Sequence, residues 1–140
     1  MNAIEKLIAD LAGRNGLAQL VSVASRLLMA FIFIVAGWSK IGGFEGTQQY
    51  MQSVGVPGGL LPLVIVVELG GGLLLLAGLF TRATAAVLAG FCVISGILFH
   101  FHPADQMQMI MFMKNLAMAG GLLQFVINGA GAASLDRRLA

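Results

Sequence analysis

Residues 60–80 read LLPLVIVVELGGGLLLLAGLF and contain a single charged side chain, that of Glu68. An apolar stretch of about 21 residues is long enough to cross a bilayer as an α-helix. A carboxylate near the middle of such a helix is unfavourable by roughly 2.5 kcal/mol or more. We therefore expect Glu68 to be protonated, paired with a cation, or directed into a polar cavity.

The composition of the whole chain is that of an integral membrane protein. Of the 140 residues, 59% are hydrophobic and 10% are charged, whereas an average soluble domain has about 25% charged residues. The formal net charge is +2, but the basic residues are scattered and do not alternate with aromatic residues, which argues against nucleic-acid binding. The single cysteine, Cys92, excludes an intramolecular disulfide, so thiol chemistry would require another protein.

Four apolar segments predict four membrane-spanning helices, at about residues 20–41, 60–80, 83–101 and 109–128. Helices are expected because a backbone surrounded by lipid must satisfy its own hydrogen bonds. Before them, Ile4, Leu7, Ile8 and Leu11 recur at helical spacing among charged residues, which predicts a short amphipathic helix at the membrane surface. The predicted fold is a single all-α membrane domain over residues 1–140, a four-transmembrane-helix bundle with a short N-terminal interfacial helix.

The basic residues predict the orientation of the bundle in the membrane. Four spans place both termini and the turn between the second and third spans on the same side. The other side has only Lys40 close to its boundary. By the positive-inside rule, both termini are expected in the cytoplasm, because their side carries Lys6, Arg14, Arg82, Arg137 and Arg138.

The connection at residues 42–59 is predicted to be ordered. Thr47 is suited to cap a short helix that runs to Val54, and Gly55 is suited to end that helix in the left-handed conformation. This helix would either cover the bundle as a structural loop or act as a lid over a substrate site. The sequence leaves both alternatives open.

The search for a partner of Glu68 starts from depth in the membrane. At about 1.5 Å per residue, Glu68 lies roughly 12 Å below the outer end of the second span, and Lys114 lies about 8 Å below the outer end of the fourth. Arg26 would have to reach up from the inner half, and Lys40 down from the outer boundary. We rank the candidate partners as Lys114, then Arg26, then Lys40, with Asn115 suited to bridge helices or to orient Lys114.

One face of the first span is expected to point into the bundle, because its members recur at helical spacing with a cation near each end: Arg26, Ala30, Phe33, Gly37 and Lys40. A buried carboxylate and its cation have two interpretations. The pair either fixes the register of the helices, or it forms part of a proton relay or a polar-ligand site in a cavity.

Two histidines near the outer end of the third span add a further candidate site. His100 and His102 could admit protons, because histidine titrates near neutral pH, or they could be interfacial residues with exposed rings. With the thioethers of Met107 and Met109, they form an alternative site for Cu(I), a soft metal ion. Methionine is also an adaptable apolar filler, which is the structural interpretation of the same residues.

Several segments along the chain form an ordered set: Arg26-Leu-Leu, Ala36-Gly-Trp-Ser-Lys-Ile41, Tyr50-Met-Gln-Ser-Val-Gly-Val-Pro57, Glu68-Leu-Gly-Gly-Gly-Leu73, Gly78-Leu-Phe-Thr-Arg82, Leu98-Phe-His100 and Met113-Lys-Asn-Leu116. This set resembles the DoxX family of small four-helix membrane proteins over about residues 25–137. Within that family it is most similar to the YqjF-like branch of bacterial inner-membrane proteins. The positions that match the family pattern are Arg26, Lys40, Glu68, Arg82, His100, Lys114 and Asn115.

The resemblance implies a function that the residues alone do not define. DoxX relatives include subunits of thiosulfate:quinone oxidoreductase and membrane partners in thiol and oxidative-stress systems. It therefore implies an oxidoreductase-associated membrane subunit in a quinone- or thiol-linked redox or stress process rather than a stand-alone enzyme. The implied ligand is a quinone or a small polar molecule, and the implied partner is a membrane or soluble redox protein. The alternative is a non-enzymatic scaffold or a small-molecule permeability element in the lipid bilayer.

Overall fold

The computed structural model describes residues 2–140, so Met1, which opens the predicted surface segment, lies outside the described residues. Within that range the regular secondary structure is helical. The helices long and apolar enough to cross a membrane are Gly16–Gly42, Gly58–Ala77, Thr81–His100 and Gln106–Asn128, here called the first to fourth spans. The four predicted spans are confirmed, and their ends shift by at most four residues.

Shorter helices, Ala3–Ala12, Phe44–Ser53 and Leu135–Leu139, lie outside the spans. The first confirms the predicted N-terminal helix. A capping box begins it, in which the Asn2 side chain accepts the Glu5 N–H and the Glu5 carboxylate accepts the Asn2 N–H. The apolar side chains of Ile4 and Ile8 are exposed. Its location at a membrane surface stays a prediction.

The second short helix, Phe44–Ser53, begins earlier than the sequence suggested. The prediction that Thr47 caps it is wrong, because the N-cap is Gly43 and the Thr47 hydroxyl donates to the Gly43 carbonyl oxygen at 2.9 Å. A threonine hydroxyl often makes this bond to the preceding turn inside a helix. Gly55 has the expected left-handed backbone, with φ of 82°.

The spans pack in sequence order, first on second, second on third, and third along the fourth, whereas the first and fourth spans make little contact. The predicted inward face of the first span is confirmed, since Arg26, Ala30, Phe33 and Gly37 are buried and Lys40 is half-buried. The first and second spans cross closely at one glycine. A Cβ atom on Gly37 would lie 2.7 Å from the backbone nitrogen of Leu69.

At the end of the bundle where both termini lie, hydrogen bonds join the C-terminal segment to the first span and to the start of the third. Arg26 donates to the carbonyl oxygen of Leu76 at 3.1 Å and to that of Ala133. The carboxylate of Asp136 accepts the N–H groups of Phe80 at 2.7 Å and Thr81 at 2.9 Å, so it caps the third span from a distant part of the chain. The sequence indicated only a polar end here.

The stabilisation that the Asp136 carboxylate provides depends on pH. Partial burial acts to raise the pKa of its carboxyl, but hydrogen bonds from Thr81 and Phe80 and the charge of Arg26 outweigh it and hold the pKa below its ordinary value. A carboxyl whose pKa is lower in the folded state stabilises the fold above its unfolded pKa. That stabilisation is lost as the pH falls through the folded pKa.

We therefore expect Asp136→Ala to lower the free energy of unfolding by about 1 kcal/mol at neutral pH, the usual effect of losing a helix cap. The difference from the wild type should shrink below about pH 4, near the unfolded pKa of aspartate. Thermal unfolding in mild detergent across a pH series measures it, with the exposed Asp10→Ala as the control. A deficit that stays constant down to about pH 2 would contradict this role for Asp136.

Candidate functional site

A cavity of about 330 Å³ lies in the half of the bundle away from the termini, enclosed by the four spans and the helix Phe44–Ser53. Its walls are mainly apolar, and small-molecule sites have volumes from about 300 Å³ upward. Five predicted site residues line it together: Lys40, Glu68, His100, Lys114 and Asn115. The sixth, Arg26, is not part of its wall.

The cation beside Glu68 is Lys40, whose Nζ lies 2.7 Å from Glu68 Oε2. The ranking of Lys114 first and Lys40 last is therefore wrong. Glu68 is 6% exposed, and its Oε2 has a charge partner but no aligned hydrogen bond among the described residues. The lysine also donates to the Ala36 carbonyl oxygen at 3.4 Å. The carboxylate is thus neutralised by the lysine, with its Oε2 atom in direct contact with the ammonium.

Side-chain direction explains why depth alone selected the wrong partner. In a helix the Cα–Cβ bond tilts toward the N-terminus. The first span enters from the end with the termini, so Lys40 points back into the bundle toward Glu68, and Arg26 points away from it. The fourth span runs in the opposite direction, so the same tilt directs the Lys114 side chain toward the N-terminal end of that span, away from the middle of the bundle.

The other predicted residues occupy different positions around the pair. Lys114 is largely exposed at the edge of the cavity. The Asn115 amide donates to the Met111 carbonyl oxygen of its own helix at 3.0 Å, and its suggested role in bridging helices or orienting Lys114 stays a prediction. Arg26 is used at the opposite end by the C-terminal segment.

The two histidines separate in the structure. His100 lines the cavity, and its Nδ1 lies 2.8 Å from Gln108 Oε1, whereas His102 is exposed beyond the end of the third span. Within residues 2–140, no three histidine, cysteine, aspartate or glutamate side chains are grouped to bind a metal ion. Methionine ligands lie outside that criterion, so the Cu(I) alternative with Met107 and Met109 stays a prediction.

Glu68 and His100 both lie in short π-helical segments, Val66–Gly70 and Gly96–His100. Such segments interrupt α-helices and occur frequently at functional sites. The second segment also marks a close approach, because a Cβ atom on Gly96 would lie 3.1 Å from Asn115 Cβ. Hydropathy and spacing in the sequence do not predict these π-helical turns.

The mouth of the cavity is covered by the helix Phe44–Ser53. Thr47, Tyr50 and Met51 of this helix line the cavity, and the ring of Tyr50 stacks on that of Phe99 with centroids 5.6 Å apart. Cys92 and Ser95 of the third span lie in the wall. Phe99, Cys92 and Ser95 were not predicted as site residues, because a residue within an apolar run has no local sequence feature that shows whether it faces a cavity.

The fold and the site together define a small membrane protein of four spans, with an ion pair buried beside a cavity at one end of the bundle. The chain belongs to the DoxX family, whose sequence profile matches residues 21–101. This confirms the resemblance drawn from its motifs.

Individual relatives cover most of the chain. Over 117 residues it is 52% identical to inner membrane protein YqjF of Escherichia coli K12, covering 84% of this chain and 90% of YqjF. It is 37% identical over 121 residues to inner membrane protein YphA of the same organism, covering 81% and 86%. A shorter match, 39% over 64 residues and 46% of this chain, is to a Bacillus subtilis protein named "Putative oxidoreductase CatD", of which it covers 48%. No solved structure shows significant similarity.

Proposed function

We propose that this chain is an inner-membrane redox accessory protein whose cavity binds the head group of a quinone. The observation that carries the proposal is the Glu68–Lys40 ion pair in the wall of a cavity of about 330 Å³ with otherwise mainly apolar walls. The names of two relatives support it, since YqjF is named "Inner membrane protein YqjF" and the shorter match is named "Putative oxidoreductase CatD".

The residues of the cavity fit a quinone head group chemically. A quinone ring is flat and apolar, and the stacked rings of Tyr50 and Phe99 offer it an aromatic wall. Its two carbonyl oxygens require hydrogen-bond donors, which Lys114 and His100 can supply from the cavity lining. The hydroxyl of the reduced form requires an acceptor, which the carboxylate of Glu68 can supply from the cavity wall.

In the proposed reduction of a quinone, this chain would transfer protons. A bound quinone supplies a two-electron acceptor, and its conversion to the quinol takes up two electrons and two protons. The electrons would come from a partner redox protein, since the single cysteine cannot supply two electrons by forming an internal disulfide. His100 would admit the two protons at the end of the third span, one after the other. Each would protonate the Glu68 carboxylate and pass on to a ring oxygen, and Lys40 would stabilise the carboxylate each time it is regenerated.

The orientation of the chain would decide which compartment exchanges these protons. The termini lie at the end opposite the cavity, and the excess of basic residues at that end supports a cytoplasmic location for them. The cavity would then lie in the outer half of the inner membrane, and His100 would exchange protons with the periplasmic side.

A binding titration tests the proposal with a benzoquinone that has only methyl and methoxy substituents. We expect saturable binding to the purified protein in mild detergent, measured by calorimetry. Glu68→Gln should weaken binding of the reduced form by about tenfold or more, because hydrogen bonds to a charged group are stronger than neutral ones. Glu45→Gln, an exposed carboxylate outside the cavity, is the control. Absence of saturable binding to the wild type would reject the proposal.

The second candidate function is a non-enzymatic scaffold or a small-molecule permeability element. It is supported by the position of the ion pair, which joins the first and second spans one turn from their close crossing at Gly37 and Leu69. In that case Glu68 fixes the packing of the two helices. Glu68→Gln would then reduce the amount of folded protein in the membrane, and no quinone would bind to either form.

A further inference from the structure

A second, larger space follows the seam between the first and fourth spans. This groove has a volume of about 1440 Å³ and extends from Ile32 to Leu17 along the first span, which is about 22 Å at the rise of an α-helix. The N-terminal helix closes its far end with Ile8 and Leu11. The groove exists because the first and fourth spans make little contact with each other.

The groove is lined mainly by apolar side chains. Two serines of the first span lie in its wall, but both hydroxyls are already used. Ser22 donates to the Ala130 carbonyl oxygen at 2.7 Å, and Ser25 donates to the Val21 carbonyl oxygen at 2.8 Å. Two amide side chains of the fourth span also line the groove, and Asn128 donates to Gln124 Oε1 at 3.4 Å. Most of the remaining wall consists of aliphatic side chains, methionine and Phe125. Such a surface suits a hydrocarbon chain and offers little to a polar solute.

The groove and the cavity beside Glu68 share part of their wall. Ile32 of the first span and Met118 of the fourth line both spaces. Methionine is unbranched and adapts its shape to a neighbour, so a different rotamer of Met118 would open the wall between the two spaces. A molecule with its head beside Glu68 therefore has a path for an attached apolar chain toward the other end of the bundle.

We propose that this groove binds the apolar tail of the molecule whose head group occupies the cavity. This inference rests on the proposed function, and it specifies the substrate class as a long-tailed, membrane-resident quinone rather than a water-soluble one. The occupant is argued from the shared wall at Ile32 and Met118, which places the groove directly beside the cavity that holds the head group. The alternative occupant is a phospholipid acyl chain that lies in the groove independently of the cavity. The test must distinguish this lipid chain from a quinone tail.

Two adjacent glycines of the fourth span provide a matched pair of variants. Gly121 lines the groove, and a Cβ atom there would lie 2.6 Å from Met29 Cε on the first span. Only the flexible end of that methionine would have to move. Gly120 faces open space, with no atom within 4 Å of the corresponding Cβ position. Leucine at residue 121 fills the seam, whereas leucine at residue 120 extends away from it.

The experiment compares a decyl-tailed benzoquinone with the methyl-only form used above, on the wild type, Gly121→Leu and Gly120→Leu in the same detergent. We expect Gly121→Leu to weaken binding of the decyl form by about tenfold, the effect of overpacking a filled site. Its affinity for the methyl-only form should change by less than about twofold. Gly120→Leu should bind both forms as the wild type does, and retained binding of the methyl-only form shows that a variant is folded.

A photoreactive group at the end of the decyl tail provides a second measurement that needs no variant. We expect wild-type crosslinks in residues 17–32 and 118–129, abolished by excess methyl-only quinone. Equal affinity of Gly121→Leu and wild type for the decyl form, or crosslinks on the lipid face of the third span, would overturn the inference and leave the groove to membrane lipid. Failure of the methyl-only form to bind the wild type would instead reject the proposed function itself.

Discussion

Lys40→Met is expected to lower the free energy of unfolding by about 3 kcal/mol, because it leaves the buried carboxylate of Glu68 without its cation. The Lys40 ammonium lies 2.7 Å from Glu68 Oε2. Lys114→Met should cost less than about 1 kcal/mol, since Lys114 is exposed and its ammonium has no ion-pair partner among residues 2–140. Unfolding of the purified variants in the same mild detergent measures both effects.

The double variant Lys40→Met/Glu68→Leu shows how much the whole ion pair contributes to stability, apart from the cost of leaving one charge unpaired. Replacing a whole buried ion pair with apolar residues is often neutral for stability. We expect the double variant to unfold within about 1 kcal/mol of the wild type. If Lys114→Met were more destabilising than Lys40→Met, Lys114 would be the partner of Glu68, and the observed pairing would be incorrect.

Gly37→Ala is expected to have a similarly large effect, through packing rather than charge. The added Cβ atom would lie 2.7 Å from the Leu69 nitrogen and 3.1 Å from the Leu69 Cα atom. A backbone cannot rotate out of the way as a side chain can, so the first and second spans must separate. We expect a loss of about 3 kcal/mol, the upper range for overpacking.

Gly42→Ala is the matched control on the same helix, because its Cβ atom would meet no other atom within 4 Å. Its effect should stay within about 0.5 kcal/mol of zero. Gly37→Ala should also weaken quinone binding, since Leu69 adjoins Glu68 in the chain. Equal stability of the two variants would show that the spans do not cross closely at Gly37.

The fold was predictable because hydropathy and helical period report directly on which residues face lipid and which face other helices. Arg26, Ala30 and Phe33 recur on one helical face, and all three are buried. The identity of a long-range partner is a different kind of information. Depth in the membrane fixes the height of a Cα atom, but it does not show which spans are neighbours or how a side chain is tilted. The segment that carries Glu68 packs on the first span, which places Lys40 rather than Lys114 beside it.

Other features of the site depend on contacts that no local pattern encodes. The π-helical turn at Val66–Gly70 changes the hydrogen-bond register of the second span, and hydropathy does not depend on that register. The stacking of Tyr50 on Phe99 joins residues far apart in the chain. Asp136 caps the third span from the C-terminal helix, which becomes visible only when both ends of the chain are positioned.

The central claim is that the Glu68–Lys40 pair serves a ligand and does more than fix the helices. The most direct test is quinone titration of the folded double variant Lys40→Met/Glu68→Leu, because it removes both charges while keeping the bundle intact. We predict that it unfolds like the wild type but binds the methyl-only quinol at least about tenfold more weakly. Wild-type affinity in the folded double variant would contradict the claim and assign the pair to helix packing alone.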